Sequence, residues 1–171
     1  MRKNLLTLAS VVGIALMLSL FSPLRAAAQD GDGDDPPSRV ARLSYTQGAV
    51  SFQPAGTDDW IDATINRPVT TGDKLWSDNG SRAALHIGSA SIHLSQNTGF
   101  SFLNLTDNVA QLQLTSGTIR IRVKRLGDDD NFEVDTPNLA FTILAPGIYK
   151  ISVNDTGDAT VIEDEIGRAH V

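Results

Sequence analysis

From Trp60 to Val153, apolar side chains tend to fall on every second position, with Gly, Asn or Asp between the runs. A period of two puts alternate side chains on opposite faces of an extended chain. Each run therefore has one face to bury and one to leave in water. Leu85 with Ile87, Ile92 with Leu94, Phe100 with Phe102, and Leu112 with Leu114 read this way. So do Ile119, Ile121 and Val123; Phe132 and Val134; Leu139, Phe141 and Ile143; and Tyr149, Ile151 and Val153, before a closing Thr160-Val-Ile162. Turn residues return about every 8–12 positions, as in all-β domains, and no window beyond the N-terminal segment keeps a helical period. The expected fold is all-β, with short strands stacked as rungs or hairpins of a β-roll or β-helix-like module. A two-sheet β-sandwich is the alternative, because it too puts every second residue inside.

Upstream, Arg39–Tyr45 and Ala49–Gln53 are expected as an opening pair turned by Thr46-Gln47-Gly48. Trp60–Ala63 reads as a short edge segment, and Lys74–Ser77 as a strand closed by the turn Asp78-Asn79-Gly80.

The ends of the chain read differently. Residues 1–28 have the pattern of a secretory signal peptide. Arg2 and Lys3 precede an uncharged apolar run from Leu5 to Leu20, and Ala26-Ala27-Ala28 offers a cleavage site before Gln29. That run is short for a membrane span of about 20 residues, so cleavage is expected rather than anchoring. No cysteine occurs, which leaves no lipid-modified cysteine and no disulfide. The expected location is periplasmic or secreted, with no transmembrane segment after cleavage. Residues 29–38 are a low-complexity acidic linker. Their Asp30-x-Asp32-x-Asp34 spacing resembles the start of a calcium loop, but Asp35 stands where that loop needs glycine and Ala41 where it needs glutamate. Residues 39–164 are expected to form one β domain. Glu165–Val171 resembles the translation of a sequencing adapter, so this tail is expected to be non-native, with the natural chain continuing past Asp164. The net charge of −6 argues against nucleic acid as a partner.

No catalytic constellation stands out. Asp155-Thr156-Gly157 matches the aspartic-protease triplet, yet it lies between two strand patterns and reads as a hairpin turn with no partner carboxylate. His86 and His93 are expected to face outward and to approach each other if their strands are neighbours. They lack the further ligands of a metal site, and no phosphate-binding glycine loop is present, so no cofactor is expected. Asn79, Asn104 and Asn154 head glycosylation sequons that read as turns. Two candidate interaction surfaces remain. Arg120, Arg122 and Lys124 alternate with Ile119, Ile121 and Val123, so they share one outer face with Arg125 adjoining. Such a stripe suits a polyanion, an acidic partner or lipid headgroups, unless Asp128–Asp130 answers it. Trp60 and Trp76 are either core and edge packing or platforms for sugar rings.

Several ordered segments carry a resemblance. Gly48-x-Val50, Trp60 and Asn66-Arg-Pro-Val-Thr-Thr-Gly-Asp-Lys-Leu75 come first. Gly80-Ser-Arg-Ala-x-Leu85-x-Ile87-Gly, Ser91-Ile-x-Leu94, Gln111-Leu-x-Leu-x-x-Gly117, Val134-Asp-Thr-Pro-Asn138 and Pro146-Gly-x-Tyr149 follow. Taken together, from about Val40 to Ile162, the chain resembles the FecR domain family. The resemblance implies a periplasmic β module. In the iron-uptake regulators of that family the module receives a signal from an outer-membrane receptor, and an anti-sigma segment lies on the cytoplasmic side. Only four residues precede the apolar run here, so that segment is not expected. The expected function is thus an exported, non-catalytic module that binds a protein or an envelope component. Iron-responsive sigma-factor signalling and carbohydrate or peptidoglycan binding are the alternatives.

Overall fold

The computed structural model describes residues 39–164; residues 1–38 and 165–171, where a signal peptide, a linker and a non-native tail are expected, lie outside them. The described residues form strands and no helix, so the all-β class holds. The first strands are β1 (Ala41–Gln47), β2 (Val50–Gln53), β3 (Ile61–Asp62), β4 (Pro68–Val69), β5 (Lys74–Ser77) and β6 (Arg82–Ile87). Then come β7 (Ala90–Leu94), β8 (Thr98–Leu105), β9 (Val109–Val123), β10 (Asn131–Asp135), β11 (Ala140–Ile143), β12 (Gly147–Val153) and β13 (Thr160–Asp164). They join into one curled sheet of two leaves. The first leaf runs β4-β1-β6-β7-β9-β12-β13 and the second β3-β2-β5-β8-β9-β10-β11. Every pairing is antiparallel except β9 with β10. Consecutive strands pair antiparallel at β2-β3, β6-β7, β8-β9, β10-β11 and β12-β13, and the other antiparallel pairings join strands further apart in sequence.

β9 belongs to both leaves, and its sequence shows how. Ala110, Leu112 and Leu114 are buried, at even positions; Ile119, Ile121 and Val123 are buried, at odd ones. A strand that kept its phase would turn its second half outward. The ladder with β8 slips by one residue at Thr115, between Leu114 opposite Phe100 and Ser116 opposite Gly99. The strand passes to the other leaf at Gly117, whose φ of +83° is open to glycine at little cost. Before it the strand lies between β8 and β10; after it, between β7 and β12. The runs around Leu112 and Ile119 are thus one strand with a changed phase. The buried side chains of both leaves meet in a single apolar cluster that includes Leu43, Phe52, Phe102, Ile92, Ile121 and Ile151.

The expected opening pair does not form. β1 pairs with β4 and β6, whereas β2 pairs with β3 and β5 in the other leaf. Gly48, at φ +74°, turns the chain between leaves, and a Cβ there would lie 3.1 Å from the Ser81 backbone. Leu139 is exposed rather than interior, and Asn104 lies within β8 rather than in a turn. β12 and β13 do form the expected hairpin around Asp155-Thr156-Gly157. The Asn154 side chain closes it by accepting from the Ala159 N–H at 3.1 Å and donating to Thr156 and Asp158.

The stretch Asn66–Leu75 ties the leaves together. Asn66 N–H donates to the Leu43 carbonyl at 2.7 Å, and the Arg67 guanidinium lies 3.9 Å from the centre of the Phe52 ring. Thr71 Oγ1 accepts from Leu105 N–H at 2.9 Å. The buried Asp73 carboxylate accepts from Ala55 N–H at 2.8 Å, from Thr70 N–H at 2.8 Å and from the Thr70 hydroxyl at 3.1 Å.

Candidate interaction faces

Strand pairing assembles the first surface. On the first leaf Arg120 stands opposite His93 on β7 and Lys150 on β12, and Arg122 stands opposite Ser91 and Ile148. One strand further, His86 on β6 stands opposite Ser91 and, on its other side, Arg42 of β1. The expected stripe of Arg120, Arg122 and Lys124 is thus outward and exposed as its alternation requires. It is one column of a wider cationic face that also takes in Arg42, Arg82, His86, His93 and Lys150. Sequence reasoning missed Arg42, Arg82 and Lys150. Each occupies an outward position of its own strand, but only the pairing register brings it into line. Lys150 is bridged by Glu163 at 3.0 Å, a largely exposed pair of small energetic weight. The acidic run does not answer the stripe through Asp130. That carboxylate accepts from Gly127 N–H at 2.8 Å and pairs with Arg39 at 2.9 Å. The Gly127 hydrogen bond, followed by Arg39, holds Asp130 below the ordinary carboxylate range.

The cationic face contains a depression of about 620 Å³, lined by Ser44, Tyr45, Arg82, His86, His93 and Arg120 among others. Ala84 is its floor. Arg82, Ala84 and His86 alternate with the inward Ala83, Leu85 and Ile87, so the alanine leaves a hole between two long side chains. Across the strands Ala84 is flanked by Tyr45 and His93. On the β1 side the ladder slips between Leu43 and Tyr45. Ser44 is the extra residue, and its hydroxyl donates to the Ala84 carbonyl at 3.0 Å. Such a bulge bends a strand and re-aims its next side chain; here that side chain is Tyr45, 48% exposed. His93 titrates below the ordinary histidine value. Burial is the main cause, and the neighbouring charges of Arg120 and then His86 add to it.

The second surface is on the other leaf. Trp60 and Trp76 line one groove of about 220 Å³ with Lys74, Gly99, Ser101, Gln113 and Thr115. Trp76 is half-buried on the outer side of β5, opposite Gly99 of β8. A Cβ on Gly99 would lie 3.5 Å from the indole, an ordinary van der Waals contact, so the ring packs directly over this position of the sheet. The indole N–H donates to Asp78 at 2.6 Å. Trp60, 48% exposed, stands just before the edge strand β3. Neither tryptophan is core.

Among the described residues no group of three His, Cys, Asp or Glu is placed to hold a metal ion, and no helix is long and apolar enough to cross a membrane. What the described residues assemble is an all-β scaffold with a cationic face on one leaf and an aromatic groove on the other. Comparison of the chain with protein-family models, curated proteins and solved structures returned no match.

Proposed function

We propose that the chain is an exported, non-catalytic interaction module of the FecR type, and that it holds an anionic protein or envelope component through the outer face of the first leaf. The observation that carries this reading is the gathering of Arg42, Arg82, Arg120, Arg122, Lys124 and Lys150 on one face of a protein with a net charge of −6. Neighbouring strands lie about 4.8 Å apart, so like charges so arranged repel one another, and an anionic surface laid over them relieves that repulsion.

Retention of the whole protein on immobilised heparin, a generic polyanion, tests the face. Near a surface of opposite sign each basic side chain contributes about 1 kcal/mol, so Arg122→Glu with Lys124→Glu is expected to weaken retention at least about tenfold at low salt. Wild-type protein that passes through unretained at low salt would overturn the reading.

The aromatic groove supports a second reading, carbohydrate or peptidoglycan binding, because two indoles and several hydroxyl and amide groups share one cleft. On that reading wild-type protein co-sediments with purified peptidoglycan, and Trp76→Ala reduces the bound fraction at least about fivefold, a loss of roughly 1 kcal/mol or more. Equal sedimentation of the two proteins would remove the groove from consideration.

A further inference from the structure

We infer that the depression over Ala84 is a built site for a tetrahedral oxyanion, such as a phosphate or sulfate ester carried on a larger group. The inference rests on the reading of the first leaf as a binding face and narrows it to one position and one chemistry.

Three features of the fold converge there. The first is the floor, because only at Ala84 does the outward row Arg82-Ala84-His86 lack a long side chain. The second is the bulge, since the extra residue Ser44 displaces Tyr45 to form one wall and anchors itself on the Ala84 carbonyl. The third is the donor set. Arg82 brings a planar fork of N–H groups, His86 and His93 bring ring nitrogens from adjoining strands, and Arg120 completes the far side. The described lining residues include no carboxylate. A phosphate or sulfate group matches these donors by charge and by its several acceptor oxygens. The volume of about 620 Å³ far exceeds one such group, which is why the anion is taken to be part of something larger, lying against Tyr45.

His93 makes the site sensitive to pH. The charged and titratable groups around His93 are His86 and Arg82 on β6, Arg120 and Arg122 on β9, and Arg42 and Tyr45 on β1, with Lys150 and its partner Glu163 beyond Arg120. Burial first, then the charges of Arg120 and His86, disfavour protonated His93. A bound dianion reverses the second effect, so binding takes up protons and tightens as the solution is acidified.

Calorimetric titration of the whole protein with sodium sulfate, at constant ionic strength set by chloride, tests this. Sulfate keeps its charge throughout, so any change with pH belongs to the protein. Saturable binding is expected, at least about fivefold tighter at pH ~5.5 than at pH ~7.5. His93→Gln should flatten that dependence. Ala84→Leu fills the floor and should abolish sulfate binding; Arg82→Gln should weaken it at least about tenfold, and serves alone if the leucine variant does not fold. Phenyl phosphate and phosphatidylglycerol vesicles distinguish the sources. Loss of vesicle binding in Ala84→Leu or Arg82→Gln marks a lipid headgroup; loss of phenyl phosphate binding alone marks a soluble ester. Absence of saturable sulfate binding at both pH values, or wild-type affinity in both Ala84→Leu and Arg82→Gln, would overturn the inference. If heparin retention persists in that case, the broader face reading survives its loss.

Discussion

Gly117→Ala is expected to destabilise the fold by roughly 3–5 kcal/mol, through backbone strain and overpacking together. Gly117 is the point at which β9 leaves one leaf for the other, and its φ is +83°. An L-residue held there costs about 1–3 kcal/mol in strain alone. The added methyl has nowhere to go, because its position falls 2.7 Å from Thr98 Cα and overlaps the Asn97 carbonyl and the Thr98 hydroxyl. Thr98 cannot easily move: its hydroxyl accepts from Thr118 N–H at 3.1 Å, and its own N–H donates to Ser77 Oγ at 3.3 Å. A domain of this size has only about 5–15 kcal/mol of stability in total, so the loss is a large fraction of it. The measurement is the urea midpoint, with Gly80→Ala alongside. Gly80 also has a positive φ, +71°, but nothing lies within 4 Å of an added Cβ. Its variant therefore reports the strain without the clash. If the two variants lose the same stability, the crossing of β9 does not depend on close approach at Gly117, and this account of the fold is wrong.

The same residue marks how far the strand pattern can be read from sequence. Alternation finds the buried side chains of β6, β7, β8, β9, β10 and β12, because burial on one face is a local property of an extended chain. The shift of the buried set in β9 from even to odd positions is also visible in the sequence, as the odd spacing between Leu114 and Ile119. Pairing is not local. β1 and β2 look like a hairpin because a glycine separates two alternating runs, yet each finds its partners in a different leaf. Nothing in a four- or seven-residue strand states which edge it will join.

The candidate sites divide along the same line. The column of Arg120, Arg122 and Lys124 was legible because the first two lie on one strand and Lys124 directly follows its end. Its extension to Arg42, Arg82 and Lys150, and the Ala84 depression, were not, because they depend on register between strands distant in sequence. Trp60 and Trp76 could be singled out, but not placed in one groove. The segments that carry the FecR resemblance take in Trp60 and the β6 and β7 side of the Ala84 depression, but not Arg42, Trp76, Arg120, Arg122, Lys124 or Lys150. Asn66–Leu75, the longest of them, is occupied with turns and with links between strands. A pattern tied to those tasks describes how the chain folds and says little about its ligand.

Asp73→Ala puts that division of labour to the test, with an expected loss of about 3–4 kcal/mol. Asp73 is a buried carboxylate, and its two oxygens accept from two backbone N–H groups and a hydroxyl. Alanine removes all of these bonds and leaves the N–H groups of Ala55 and Thr70 without that acceptor. A buried donor left unsatisfied costs about 1–3 kcal/mol. The damage should spread, because the Asp73 main chain is also engaged: its carbonyl accepts from Phe102 N–H at 3.2 Å, and the neighbouring Gly72 N–H donates to the Phe102 carbonyl at 2.8 Å. Asp73→Asn keeps one side-chain oxygen but turns an NH₂ toward the second donor, so an intermediate loss of about 2 kcal/mol is expected. Thermal unfolding reads the order, at roughly 3–6 °C per kcal/mol for a domain of this length. Amide exchange reads the cause, with faster exchange at Ala55 and Thr70 in both variants. Stability equal to wild type in Asp73→Ala would show that this carboxylate does not hold the turn. Loss of stability with heparin retention intact below the unfolding temperature would separate the turn that builds the scaffold from the face that does the binding.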